Sequence, residues 1–296
     1  MSTPRPFGRA LCAMITPFTA DDRLDLDHAR RLAAHLVAEG CDGLVLSGTT
    51  GESPTTTDAE KAALVRAVRA EVGADVHVVA GVGTASTRHT VELARQAEEA
   101  GANGLLVVSP YYSRPPEEAV EAHLRTVADA TGLPVMLYDI PGRTGVRIGT
   151  DTLLRLAGHE RIVAVKDCAY DLFASTKVIG RTSLAYYSGC EETNLPLYAV
   201  GGAGYVSTVA NVAPAQMRAP LDAHDKGDPT EAPRLNHLTL PLTELMMASG
   251  LPGTVTAKAL LGSPVREPLR PASPDRAAAL RTAYDDLVRE SARRQL

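Results

Sequence analysis

The chain is 296 residues long, 45% apolar and 22% charged, and a chain of this length can bury roughly three quarters of its unfolded surface. Thirty Lys and Arg stand against 35 Asp and Glu, a formal charge of −5, and no basic run or stripe marks a nucleic-acid partner. No apolar stretch approaches the roughly 18–20 residues of a membrane span, and Met1 to Arg9 lacks the apolar core of a secretory signal, so the expected setting is the cytoplasm.

In chain order the apolar runs are Ala10–Phe18, Gly43–Gly48, His77–Gly83, Gly104–Pro110, Pro134–Ile140, Ile162–Asp167, Leu184–Cys190 and Gly204–Ala210. They are continuous rather than alternating in polarity, which reads as eight parallel strands buried on both faces. Amphipathic stretches separate them. In Asp58–Val72, Leu64, Val65, Val68 and Val72 share one face, with Thr57 or Asp58 as N-cap. Ser86–Ala100 ends at Gly101, the usual residue just past a helix.

Eight strand-then-helix units predict an α/β fold, a (β/α)8 TIM barrel, over an open doubly wound sheet. The barrel closes near Met217–Asp225, so a catalytic domain is expected over residues 1–226. Residues 227–296 are expected to form a C-terminal helical extension, with helices near Glu231–Ser249, Gly253–Leu261 and Ser273–Arg293 and a linker at Gly227–Pro233.

Cys12, Cys41, Cys168 and Cys190 are scattered, with no C-x-x-C pair and no His at ligand spacing, which reads as free thiols rather than a metal site. No His, Asp and Glu cluster falls at the strand ends, so no metal is expected, nor a nucleotide or flavin. Gly81-x-Gly83 lacks the third glycine of a dinucleotide fingerprint. Gly201-Gly202-Ala203-Gly204 precedes the eighth run without an accompanying Lys or Arg, and is assigned to packing and turning rather than to phosphate binding.

In such barrels chemistry gathers at the C-terminal strand ends. Lys166 closes the run Ile162-Val163-Ala164-Val165, so its stem points from an apolar floor into the barrel mouth. Burial disfavours the ammonium, and a neutral amine can capture a ketone as an imine. The competing reading is a Lys166–Asp167 ion pair. Tyr138 ends the neighbouring strand and could accept and return protons. Thr49 and Thr50, braced by Gly48 and Gly51, and Tyr112 beyond the fourth strand could relay them; alternatively each tyrosine packs at the mouth with a wet hydroxyl. Arg143, in the braced turn Pro141-Gly142-Arg143-Thr144-Gly145, suits a substrate carboxylate, or else is a solvated surface residue.

Gly48-Thr49-Thr50-Gly51-Glu52-Ser53, Pro110-Tyr111-Tyr112, Leu137-Tyr138-x-x-Pro141-Gly142-Arg143-Thr144-Gly145, Val165-Lys166-Asp167 and Gly201-Gly202-x-Gly204-x-Val206-Ser207 together resemble the dihydrodipicolinate synthase family of pyruvate-dependent class I aldolases. The similarity runs from about Leu11 to Leu269. It implies an imine between Lys166 and pyruvate, with no cofactor, and a proton relay of Tyr138, Thr50 and Tyr112. Tyr112 would reach into the site of a partner in a homotetramer of tight dimers. Thr49 and Thr50 would hold the pyruvate carboxylate, Arg143 the carboxylate of L-aspartate-4-semialdehyde, and the Val206 carbonyl would lie beside the imine. Gly189 completes the implied substrate-binding set.

The chain departs from the family pattern at Asp139, at Cys168-Ala169-Tyr170 and at Cys190-Glu191, around the aldehyde end. A related aldolase or lyase acting on another aldehyde or a 2-keto sugar acid is therefore the second reading, and a keto-acid-binding barrel without turnover the third. At the positions that resemble the family's lysine-binding site stand Ala85, His89, Asp58 and Lys61, near Tyr111. Lost polar ligands would leave lysine's buried groups unpaired, so lysine feedback is expected to be weak or absent.

Overall fold

The computed structural model describes residues 4–295, so the first three residues of the expected barrel and the last of the extension lie outside it. Eight strands, β1 (Ala10–Ala13), β2 (Gly43–Leu46), β3 (His77–Gly81), β4 (Gly104–Val108), β5 (Val135–Asp139), β6 (Ile162–Asp167), β7 (Ala185–Ser188) and β8 (Gly204–Ser207), form a closed parallel barrel in sequence order. Closure is made by β8 on β1, with Ala10 opposite Tyr205 and Leu11 opposite Val206. All eight expected strands are present. Seven are shorter than their apolar runs, because those runs record burial, which continues into the mouth loops after ladder pairing has stopped.

Two hydrophobic layers follow from the period of two along each strand. Leu11, Val45, Leu106, Met136, Tyr138 and Ala164 face the barrel axis. Leu44, Leu105, Val135, Leu137 and Val165 face the helices. The floor is closed by Phe7 and Tyr187: the Tyr187 hydroxyl donates to the Gly8 carbonyl at 3.0 Å and accepts from Phe7 N–H at 3.2 Å.

The helices around the barrel are α1 (Leu26–Ala38), α2 (Asp58–Val72), α3 (Thr87–Glu99), α4 (Glu117–Ala128), α5 (Pro141–Thr144), α6 (Thr150–Leu156), α7 (Leu172–Ile179), α8 (Asn194–Ala199) and α9 (Pro214–Asp225). Thr57, not Asp58, caps α2, in a reciprocal box: Glu60 N–H donates to Thr57 Oγ1, and Thr57 N–H to Glu60 Oε2. The glycine cluster before β8 acts in packing, as its lack of basic neighbours suggested. A Cβ on Gly204 would run into the backbone of Arg9.

Three further helices, α10 (Glu231–Met247), α11 (Gly253–Leu261) and α12 (Pro274–Gln295), make the C-terminal extension. α10 packs on α9, and α12 on α10 and α11. The extension is also pinned to the β2 exit loop. Lys258 on α11 forms a fully buried ion pair with Glu52. Arg266 binds Glu60 at 2.6 Å and Asp22 at 2.9 Å while covering the Phe18 ring. No helix among the described residues is long and apolar enough to cross a membrane.

Asp139 ends β5 facing the helices and accepts Ile148 N–H at 3.1 Å. Burial, with Asp167 nearby, pushes its carboxyl up to about 7. Because the folded state then holds a proton that the unfolded state has lost, this group removes stability as pH rises from about 4 to 7. Asp139→Asn keeps the acceptor without the charge. It is expected to stabilise the protein by about 1–3 kcal/mol at pH 8, with the advantage fading towards pH 4; thermal melts across that range would read it.

Candidate active site

Lys166 and Tyr138 face the barrel axis from adjacent strands, directly opposite one another in the β5–β6 register. Each is almost fully buried, and the Lys166 amine lies 4.3 Å from the centre of the Tyr138 ring. The alternative Lys166–Asp167 ion pair is not formed. Asp167 points to the helix side and accepts Ser175 Oγ–H at 2.5 Å and Ala169 N–H at 2.8 Å. Lys166 makes no ion pair among the described residues, and burial pulls its ammonium below the ordinary lysine range. The site thus presents an unpaired amine whose neutral form is favoured. Burial also raises the Tyr138 phenol, so it stays protonated.

Above them lies an open cavity of about 220 Å³, lined by Ser47, Thr49, Tyr111, Tyr138 and Arg143. The β2 exit loop forms one wall, and Ser47 holds a left-handed φ of +53° at its start. The two threonines of this loop part ways. Thr50 is buried, its hydroxyl 3.0 Å from that of Thr208 after β8. Thr49 is exposed to the cavity, which it lines together with Tyr138. Of the two threonines expected at the pocket, Thr49 lines the cavity with Tyr138 and Thr50 turns to Thr208: the two side chains of the turn point to different sides, and the sequence does not say which faces inward.

Tyr112 does not turn into its own barrel. It has φ +72° and a ring 94% exposed, whereas Tyr111 lines the cavity. Arg143, on α5, stands exposed at the mouth with no ion-pair partner among the described residues. Val206 sits on the inner face of β8 in one cluster with Tyr138 and Cys168. Gly189 has a steric role: a Cβ there would lie 2.7 Å from Lys166 Cε and closer still to the Cys168 sulfur. Only glycine leaves the lysine stem its path.

Glu191 was noted in the sequence only as a departure. It is fully buried and accepts Thr208 N–H at 2.7 Å and Val209 N–H at 3.0 Å, fixing the loop that carries Thr208 against Thr50. Its place three residues past a strand end was the available signal. The approach of Cys168 to Gly189 was missed because 21 positions separate the two, and pairing of β6 with β7 is what joins them.

Residues 6–287 match the family model described as the dihydrodipicolinate synthetase family. The chain is 67% identical over 296 residues to 4-hydroxy-tetrahydrodipicolinate synthase 1 of Streptomyces coelicolor, covering 98% of this chain and 97% of that one. A dihydrodipicolinate synthase structure from Bacillus anthracis superposes with a TM-score of 0.90 at 35% identity, covering 94% of this chain and 98% of that one. One from Cyanidioschyzon merolae with lysine bound gives 0.91 at 34%, covering 96% and 99%.

Proposed function

The chain belongs to the dihydrodipicolinate synthetase family, and from that premise we propose that it is a lyase condensing pyruvate with L-aspartate-4-semialdehyde to 4-hydroxy-tetrahydrodipicolinate, in lysine and diaminopimelate synthesis. The observation that carries this reading is the buried Lys166 amine beside Tyr138, with the Arg143 guanidinium at the cavity mouth, neither of them in an ion pair among the described residues. The amine adds to pyruvate C2 and water leaves, giving an imine. Loss of a C3 proton makes an enamine, which attacks the aldehyde carbon. Attack of the product's own amino group on the imine carbon closes the ring and frees Lys166. The imine is the electron sink, so no metal or organic cofactor is needed, and activity should survive exhaustive chelation.

Tyr138 and Thr49 pass protons at the imine, and Tyr112 from a second copy of the chain links them to solvent. Its outward, left-handed placement supports this reading. The assembly is then a homotetramer of tight dimers in the cytoplasm, which sedimentation would test. Incubating both substrates with dihydrodipicolinate reductase as coupling enzyme tests the reaction itself. Turnover of a sugar acid but not of this aldehyde would reject it.

Arg143→Ala is expected to raise the KM for the aldehyde by roughly tenfold to a hundredfold, the worth of a charge-assisted pair, and to leave the pyruvate KM nearly unchanged. Steady-state kinetics with each substrate varied would show the split. Lysine inhibition is expected to be weak. Asp58 and His89 pair with each other at 2.8 Å, and the Lys61 amine donates to the Thr56 carbonyl at 2.5 Å, so these groups are already satisfied. Strong inhibition by sub-millimolar lysine would contradict this.

A further inference from the structure

Asp139 takes no part in the steps above, yet it follows Tyr138 directly and stands at the root of the segment that carries Arg143. That segment, residues 140–149, is stiff within itself. Arg143 and Thr144 N–H donate to the Ile140 carbonyl at 2.9 and 3.0 Å, and Gly145 N–H donates to the Pro141 carbonyl at 2.9 Å. The buried Thr144 hydroxyl shares its proton between the carbonyls of Ile140 and Val146, at 3.1 and 2.7 Å. At its near end the segment continues from β5. Three carboxylates hold its far end: Asp139 accepts Ile148 N–H at 3.1 Å, Glu117 accepts Gly149 N–H at 2.8 Å, and Asp171 pairs with Arg147 at 3.0 Å. Glu117 and the Arg147–Asp171 pair are open to water, where such contacts contribute little. Asp139 and Ile148 are 3% and 1% exposed, so losing their bond strands an N–H in the interior.

We propose that Asp139 is a positioning residue for Arg143: by gripping Ile148 from behind the sheet, it fixes the guanidinium at the cavity mouth and so sets the affinity for the aldehyde. The proposal rests on the reading of Arg143 as the partner of the aldehyde's carboxylate. Alternation along β5 places Tyr138 towards the cavity and Asp139 towards the helices, so one strand end supplies both a cavity wall and an anchor. Asp139 lies opposite Asp167 in the β5–β6 register, and the two share a cavity of about 10 Å³. The charged and titratable groups that face it there are Asp167 from β6, Tyr186 from β7 and Arg147 from its own segment. Thr150 and Leu153 of α6 and Ala174 and Ser175 of α7 bring no charge. Asp167 is occupied by Ser175 Oγ–H and Ala169 N–H, and Arg147 is drawn outward to Asp171. Burial, with Asp167 beside it, lifts the Asp139 carboxyl to about 7. An anion formed there is better solvated with the segment lifted, so ionisation favours the looser arrangement. Affinity for the aldehyde therefore falls as pH rises through that value.

The test is steady-state kinetics with each substrate varied in turn. Asp139→Ala is expected to raise the aldehyde KM about tenfold, the worth of one buried hydrogen bond, and to leave the pyruvate KM and kcat nearly unchanged. In an Arg143→Ala background the same substitution should have no further effect, because the group it positions is gone. Asp139→Asn keeps the acceptor without the charge. Near pH 6 its aldehyde KM should match that of the unaltered protein. Near pH 8.5 it should be about fivefold lower, within the tenfold per pH unit that linkage allows. This variant keeps the size and the bond of the original side chain, so it reads the role even where Asp139→Ala does not fold. A pyruvate KM that rises in step would reduce Asp139 to packing and overturn the positioning role. So would an equal loss in the Arg143→Ala background, or aldehyde KM values that stay parallel for Asp139→Asn and the unaltered protein at every pH. An Arg143→Ala variant with an unchanged aldehyde KM would instead remove the reading of Arg143 itself, and the role of Asp139 with it.

Discussion

Lys166→Ala is expected to cut synthase activity by at least about a thousandfold, because on the proposed imine mechanism it removes the atom that bonds to pyruvate. With pyruvate and borohydride the unaltered protein should gain a stable adduct on Lys166, and the variant none. Lys166→Arg separates charge from nucleophilicity. It restores a cation at the same place, but a guanidinium does not deprotonate, so it should be equally inactive. The pH profile follows from burial. Since the Lys166 ammonium is pulled below the ordinary lysine range, nucleophilicity persists at pH values where an exposed lysine is almost fully protonated. It falls away as pH drops through that lowered value. An active Lys166→Ala variant, or an adduct that maps elsewhere, would end the imine account.

Lys258→Met is expected to destabilise the fold by about 3–5 kcal/mol, the usual result of stranding one member of a buried ion pair. Lys258 and Glu52 are each about 1% exposed, and burial outweighs the pairing enough to push the Lys258 ammonium down to about 8. Without that cation, Glu52 is left charged in the interior between the β2 loop and α11. The Glu52→Gln/Lys258→Met double variant should recover most of the loss. Its neutral amide can still accept Arg266 N–H, a bond of 2.9 Å in this structure, and no charge is stranded. Urea midpoints of the two variants would decide. A double variant no better than the single would mean that the ion pair is worth more than its desolvation. Glu52 continues the loop that holds Thr49 and Thr50, so the single variant should also lose activity, whereas the double should regain part of it.

These two residues mark different kinds of legibility. Lys166 was readable because a lysine ending an apolar run is costly unless it does something, and that cost is local. Glu52 stood in a recognisable motif, yet its partner lies 206 positions away, and nothing in the spacing of charges joined them. The threonine pair shows the same limit over a shorter span. Gly48 to Gly51 announced a turn next to the pocket, but which hydroxyl faces the cavity depends on backbone angles set by packing of the β2 and β8 exit loops.

By itself the sequence determined the eight strands, their parallel order, the helical extension and the lysine, tyrosine and arginine of the site. Hydrophobic burial and turn chemistry act over a few residues and leave their mark in composition and period. Closure of the barrel decided the rest. It chose the inward face of each strand, set Lys166 opposite Tyr138, turned Thr49 rather than Thr50 to the cavity, and brought Cys168 against Gly189. Those contacts depend on register between distant segments, where a slip of one residue reverses every side chain, and register is fixed only when the whole ring packs at once.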